Sequence, residues 1–400
     1  MHFDLTAAFL RWTFLRAVLS RGWWLTTALY LVAVADLSAS RLLLIGVFQG
    51  LTVVVTEVPA GVLADRISRR LTLVIAHVVM GVGMTMTGFV TDFPLVVMSQ
   101  CLWGLGWALS SGSDVAWITD ELDNPEQIDR ILVAQGRWQL LGTLVGIVIF
   151  GLLGWATTLA GAMAAAGISM IGLGLAVVAR WPETRPASSD TDQRWAASIT
   201  VMRRGFSSAR ADRIVLFVLV SPLLDNGGAE GFGRLFERHL IGLGMPSHPD
   251  PIIWFAAVAV VAAAMGATML RFVEARINGS GVARRVYVTA CAMAMLGMIV
   301  FAHAPNATSA IAGSLLVSGI GLPTVRVAST ILINRRTTSE VRATVHSLLS
   351  QAENAGEMLF GLVLASATAA TSPPVALTGS AILLALAGLL VSLTRDGHNR

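Results

Sequence analysis

The 400-residue chain contains no lysine. That absence excludes the lysine of a Walker A phosphate loop and any lysine Schiff base. Its two cysteines, Cys101 and Cys291, lie too far apart in sequence to suggest a metal clip. They read as small buried apolar side chains. Neither a G-x-S-x-G elbow nor an H-E-x-x-H pair occurs. Charge is scarce as well: 13% of residues are charged, where soluble globular domains carry about a quarter. These absences point away from an enzyme, an ATP-driven pump with its own nucleotide site, and any cofactor or metal.

What fills the space is apolar. Hydrophobic residues make up 55% of the chain and the mean hydropathy is +0.71, values that belong in a bilayer. A helix needs about 20 apolar residues to cross roughly 30 Å of hydrocarbon, and no water is available there to satisfy open backbone groups. Twelve such runs recur, near 14–35, 42–63, 71–90, 94–118, 133–155, 158–180, 212–235, 252–274, 284–303, 308–333, 342–367 and 374–394. The first is read as a retained span, because Arg16 and Arg21 interrupt it and no small-residue cleavage site follows. The expected fold class is an all-α membrane protein of 12 transmembrane helices.

Basic residues set the orientation. With the N-terminus inside, most of the 28 arginines fall in the inner loops and tails, while Arg41, Arg234 and Arg238 lie outside. Both termini are therefore expected in the cytoplasm. The net charge of +4 then reflects topology, and nucleic acid is not expected as a partner, since the arginines form no single basic face.

The long polar connection between spans 6 and 7 divides the chain. The reading gives an N-terminal six-helix bundle at 1–181, a cytoplasmic linker at 182–211 and a C-terminal six-helix bundle at 212–400. Within the linker Trp195, Ile199, Met202 and Phe206 recur at helical spacing beside Arg194, Arg203 and Arg204, as in a helix lying on an anionic membrane surface; a plain tether fits the same stretch. A weak repeat links "GVLADRISRR", from Gly61, to "RFVEARINGSGVARR", from Arg271, at equivalent places in the two halves. Duplicated six-helix halves are the build of many secondary transporters.

"GVLADRISRRLTL" resembles the signature loop of the major facilitator superfamily, G-x-L-A-D-R-x-G-R-K/R-x-x-L, at the same place between spans 2 and 3. Gly61, Leu63, Ala64, Asp65, Arg66, Arg69, Arg70 and Leu73 match, and Ser68 stands where the family has glycine. The resemblance implies two pseudo-symmetric six-helix bundles that expose a midplane site alternately to either side. It also implies a cytoplasmic latch made of Gly61, Asp65, Arg66, Arg69, Arg70 and Asp120, with Asp65 facing the start of span 11 and the arginines meeting acids near span 4. Positive-inside anchoring accounts for the arginines alone, though not for Asp65. Gly61, after Pro59, is expected to let another helix approach closely.

Ionisable groups inside the spans cost at least about 2.5 kcal/mol each and so face a cavity or a partner. Span 7 carries Asp225, Asn226, Glu230 and Arg234, with Gly227, Gly228, Gly231 and Gly233 expected to loosen or bend it. Span 11 carries Gln351, Glu353, Asn354 and Glu357. Asp225, Glu230, Glu353 and Glu357 are the proton-coupling candidates, and a structural Glu–Arg pair fits the same residues. The substrate-cavity candidates are Arg21, Gln49, Gln100, Gln139, Asn226, Arg234, Gln351 and Asn354, and Arg16 and Arg137 stand beside them on spans 1 and 5. Glu57 and Asp114 read as gate residues. The family's proton-coupled members often have an arginine where Gln100 stands, and its drug antiporters have a G-P-x-x-G-G motif that "LLGTLVGIVIFGLLG" lacks.

The expected function is secondary transport of a small solute across a bacterial inner membrane, by a monomer with lipid around it and protons as the coupling partner, exporting an amphipathic compound or drug. An importer or uncoupled facilitator of a polar or anionic metabolite is the alternative within transport. A receptor or assembly protein that keeps the fold is the alternative outside it.

Overall fold

The computed structural model describes residues 4–122, 124–183, 213–246, 248–276, 280–336 and 339–394. Among them every regular element is helical: α1 (Leu5–Ala33), α2 (Ala39–Arg66), α3 (Arg69–Thr87), α4 (Phe93–Ser110), α5 (Ser113–Leu122), α6 (Pro125–Ala156) and α7 (Leu159–Arg180). The later elements are α8 (Arg213–Gly242), α9 (Pro251–Glu274), α10 (Ser280–Ala302), α11 (Ala307–Leu315), α12 (Leu322–Arg336), α13 (Ser339–Ala370) and α14 (Pro373–Ser392). A π-helical stretch, Leu316–Gly321, joins α11 to α12.

Short polar side chains mark the helix starts, as free N–H groups require. Asp4 accepts from the Ala7 amide, Ser68 from Leu71, Asn124 from Gln127, Thr158 from Gly161 and Asn306 from Ser309. Large apolar side chains such as Leu140, Ile149 and Leu152 on α6 lie on the surface, where lipid rather than water suits them.

Nine helical stretches among the described residues are long and apolar enough to span a membrane. Each of the three other long helices, α1, α8 and α13, carries ionisable residues along its length. The run expected at 94–118 is two helices: α4 and α5 are separated at Gly112, whose φ of +76° is a left-handed conformation that favours glycine. The glycines do not break span 7: α8 is one continuous helix through Pro222. Some of them serve contact. A β-carbon at Gly227 would meet Phe360, and one at Gly228 would lie 2.8 Å from the Ser380 carbonyl oxygen.

Two compact units divide the chain. The first comprises the described residues of Met1–Leu37, Leu51–Trp195 and His248–Ala256; the second, those of Ser38–Gly50, Ala196–Ser247 and Ala257–Arg400. In the first unit α1 packs on α6 and α7, and α3 packs on α4 and α7. In the second, α8 packs on α13 and α14, and α10 packs on α12 and α14. Counting α4–α5 and α11–α12 as one span each, both units join their first span to the fifth and sixth and their third to the fourth and sixth. The sequence repeat is thus a repeat of packing.

Glycine makes some of these contacts possible. A β-carbon at Gly142 of α6 would sit 2.5 Å from the Phe14 carbonyl oxygen of α1, and one at Gly146 would collide with the Val18 carbonyl. Such small-residue faces let backbones approach where no hydrophobic force pulls helices together. At Gly61, where close approach was expected, no described residue lies within 4 Å of where its β-carbon would be.

Candidate functional site

Polar residues gather at the centre of each unit. In the second, Asp225 lies 12 residues into α8, about 18 Å along the helix, and is 5% exposed. The Tyr287 hydroxyl of α10 donates to its Oδ2 at 2.7 Å, and Asn226 Nδ2 donates to its Oδ1 at 2.9 Å. Glu353 and Arg326 act on Asp225 electrostatically, the first from α13 and the second from α12. One turn or more along α8, Arg234 Nε donates to Glu230 Oε1 at 2.7 Å and Arg234 Nη2 donates to Gln49 Oε1 at 2.6 Å. Glu357 lies within electrostatic range of Glu230, Arg234, Glu353 and Arg326. Four carboxylates and two guanidiniums therefore form one linked cluster, drawn from α2, α8, α10, α12 and α13.

The first unit is built differently. Arg16 of α1 is 15% exposed and stands 3.6 Å from Asp114 Oδ2, while its Nη2 donates to Ser110 Oγ at 2.6 Å. Its guanidinium carbon lies 5.2 Å from the Trp12 ring centre and 5.1 Å from that of Trp107, within cation–π range. Beside it is a cavity of about 240 Å³ lined by Thr13, Ser20, Gln135 and Gln139 together with the residues just named. Trp12 Nε1 donates to His77 Nε2 at 3.1 Å, so His77 carries its proton on Nδ1 and donates it to the Leu73 carbonyl at 2.6 Å. That chain of bonds fixes the Trp12 ring.

The loop between α2 and α3 forms a third group. Arg69 pairs with Asp120 and donates to the Ala116 carbonyl at 2.8 Å. Arg70 donates to the Trp181 carbonyl at 2.8 Å and lies 3.7 Å from Glu183. Ser68 both caps α3 and donates to Glu183 at 2.6 Å, which gives its hydroxyl a use where the family pattern has glycine. Trp117 stacks on Trp181 with centroids 3.9 Å apart and donates to the Pro182 carbonyl at 3.1 Å. The side chains of Asp65 and Arg66, and the linker residues Arg194, Trp195, Ile199, Met202, Arg203, Arg204 and Phe206, lie outside the described residues.

The structure thus brings together Asp225, Asn226, Glu230, Arg234, Glu353, Glu357 and Gln49, and separately Asp114 and Gln139. Gln100 is elsewhere, buried and donating to Thr87 Oγ1 at 3.2 Å. Arg21 is exposed and is not among the residues lining the cavity. Gln351, Asn354 and Glu57 are half-buried. Sequence reading missed Tyr287, Trp12, Trp107, Gln135 and Glu183. Tyr287 had a signal, being one of only two tyrosines in the chain; the tryptophans blended into eleven of their kind.

Comparison with known proteins agrees with this geometry. The family description "Major Facilitator Superfamily" matches residues 13–361. No curated protein matches the chain. Among solved structures it is similar to the nucleoside transporter NupG, at 15% identity and a TM-score of 0.76, covering 98% of this chain and 100% of that one. It is also similar to a bacterial homologue of the human lysosomal transporter Spinster, inward-facing and occupied, at 13% identity and 0.74, covering 97% and 96%. A POT family transporter in complex with 5-aminolevulinic acid matches at 12% identity and 0.71, covering 98% and 96%. At these identities the likeness is one of fold.

Proposed function

The chain belongs to the Major Facilitator Superfamily, a family of secondary transporters, and we propose that it moves a small amphipathic solute in exchange for protons bound in the second unit. The supporting observation is the charge count around Asp225. Among the described residues Asp225, Glu230, Glu353 and Glu357 face Arg234 and Arg326, so within this group two negative charges stay uncompensated when every group is ionised. In the middle of a membrane that excess is expensive, and taking up protons removes it.

Glu230 is the acid already held by an arginine. Asp225, Glu353 and Glu357 are the three left for protons, with Tyr287 and Asn226 orienting Asp225. Exchange requires that solute and proton are not carried together, and a cluster that is neutral in one state and anionic in the other gives the two states different stabilities. Export, a bacterial inner membrane, inward-facing termini, a monomer and a latch around Arg69 and Asp120 complete the proposal.

The test uses energised inside-out vesicles with a luminal pH indicator and a panel of lipophilic cations, anions and neutral or zwitterionic metabolites. Proton release from the lumen on adding one solute class, lost in Asp225→Asn, is the expected result. Labelled solute moving without any pH response, in both proteins alike, would overturn the coupling. The sign of the pH change reports direction.

An uncoupled facilitator is favoured by one observation only, the bonding of Arg234 to both Glu230 and Gln49. That triad is a structural tie on either reading. It also places Arg234 against its own partners, not against an anionic solute.

A further inference from the structure

We propose that the cavity beside Arg16 is a binding site for a zwitterionic, amino-acid-like solute, which deepens the transporter reading by naming its cargo. Three residues that line this cavity each carry a buried polar atom without a hydrogen-bond partner among the described residues: Thr13 Oγ1, Arg16 Nε and Ser20 Oγ. They fall at i, i+3 and i+7, on one face of α1. Thr13 is 5% exposed. Buried polar groups normally find partners, and three left open on one helix face, all lining one cavity, mark a place where a ligand completes the bonding.

Charge selects the ligand. Arg16 and Asp114 stand 3.6 Å apart, beyond hydrogen-bond reach, so they neutralise each other without using up their bonding capacity. A lone carboxylate would leave the site at net −1, and a cation would leave it at net +1. Either imbalance is unfavourable in a buried site. A zwitterion, like a neutral molecule, adds nothing to the sum, and it alone offers each ion a partner of opposite charge. Its carboxylate meets the guanidinium, its ammonium meets Asp114, and one loose ion pair becomes two hydrogen-bonded ones.

Shape and size agree. Trp12 and Trp107 flank the guanidinium and offer flat apolar faces to a side group, which favours an aromatic or aliphatic amino acid over a strongly polar one. At about 240 Å³ the cavity is smaller than sites that enclose drug-sized molecules, which run from about 300 Å³ upward. The occupant is a metabolite-sized molecule.

The experiment is equilibrium binding of radiolabelled amino acids to the purified full-length protein in nanodiscs, at one pH and with no gradient. The panel holds the common amino acids, with phenylalanine amide as the cation, N-acetylphenylalanine as the anion, and a lipophilic quaternary ammonium. At least one amino acid should bind saturably, and blocking either of its charged groups should weaken it by about tenfold or more, the loss expected of a charge-assisted bond. Arg16→Gln should abolish the discrimination against the amide, and Asp114→Asn that against the acetylated acid. Ser20→Ala, which leaves the ion pair in place, should weaken binding several-fold in a protein with unchanged melting temperature.

No saturable binding by any amino acid, equal binding of the quaternary ammonium, or full affinity in Arg16→Gln and Ser20→Ala would each overturn the assignment. Because no gradient is present, the readout is indifferent to coupling. Binding with zwitterion preference but without proton-linked flux would remove the coupling and keep the pocket; the reverse result would remove the pocket and keep the coupling.

Discussion

The two units share one packing pattern and differ in what it holds at the centre. In the first, α1 brings a single arginine to a single acid, at a distance too long for a hydrogen bond, beside a cavity. In the second, α8 brings two acids and an arginine near two more acids on α13, with a tyrosine and an asparagine bonded to Asp225 and a glutamine to Arg234. One centre is balanced in charge; the other is out of balance. One packing frame holds two different centres: on the proposed reading the balanced one suits a solute and the anionic one a proton.

The sharpest way to break this comparison is to neutralise the corresponding acids. Asp225→Asn is expected to reduce proton-linked flux to that of protein-free vesicles, whereas Asp114→Asn should chiefly alter which solutes are accepted; the same phenotype from both would dissolve the division. A large side chain at the α1–α6 contact comes next. Gly142→Leu must displace the α1 backbone at Phe14, and overpacking of this kind costs about 1–3 kcal/mol, read as a lower melting temperature in detergent. Tyr287→Phe removes one hydrogen bond to a buried carboxylate, worth about 1.5–3 kcal/mol, and should slow coupled transport without altering solute selectivity. Ser68→Ala loses the cap of α3 and the bond to Glu183; about 1 kcal/mol of stability is expected to go with the cap. Gly61→Ala meets open space and should leave the melting temperature within the range of an ordinary surface change, about ±0.5 kcal/mol. A larger effect there would show that Gly61 is packed in another conformation.

Much of this was readable before any coordinates. Helical spans of hydrocarbon length are imposed by the bilayer, so the apolar runs located them. The acids of α8 and α13 were visible because ionisable groups are rare in such runs. Their pairing with Tyr287, Arg326 and Gln49 was not, since tertiary packing brings these in from elements far away in sequence. Local propensity said nothing of contact: Gly227 and Gly228 of α8 lie against Phe360 and Ser380 within an unbroken helix. Ser68 looked like a departure from a pattern until its hydroxyl was found capping one helix and holding Glu183.

The position of Arg16 has a consequence for biosynthesis. Among the described helices, α1 is not apolar enough to qualify as a span by itself, and the helices that shelter its arginine follow much later in the sequence. Asp114 and Ser110 follow roughly 80 residues after the end of α1, and α6 begins only about 90 residues after it; at about 5–20 residues per second the ribosome needs several to nearly twenty seconds to deliver them. For that interval the arginine of α1 lacks the partners it has in the folded unit. On the proposed reading, the residue that meets the solute is one whose own partners are made late.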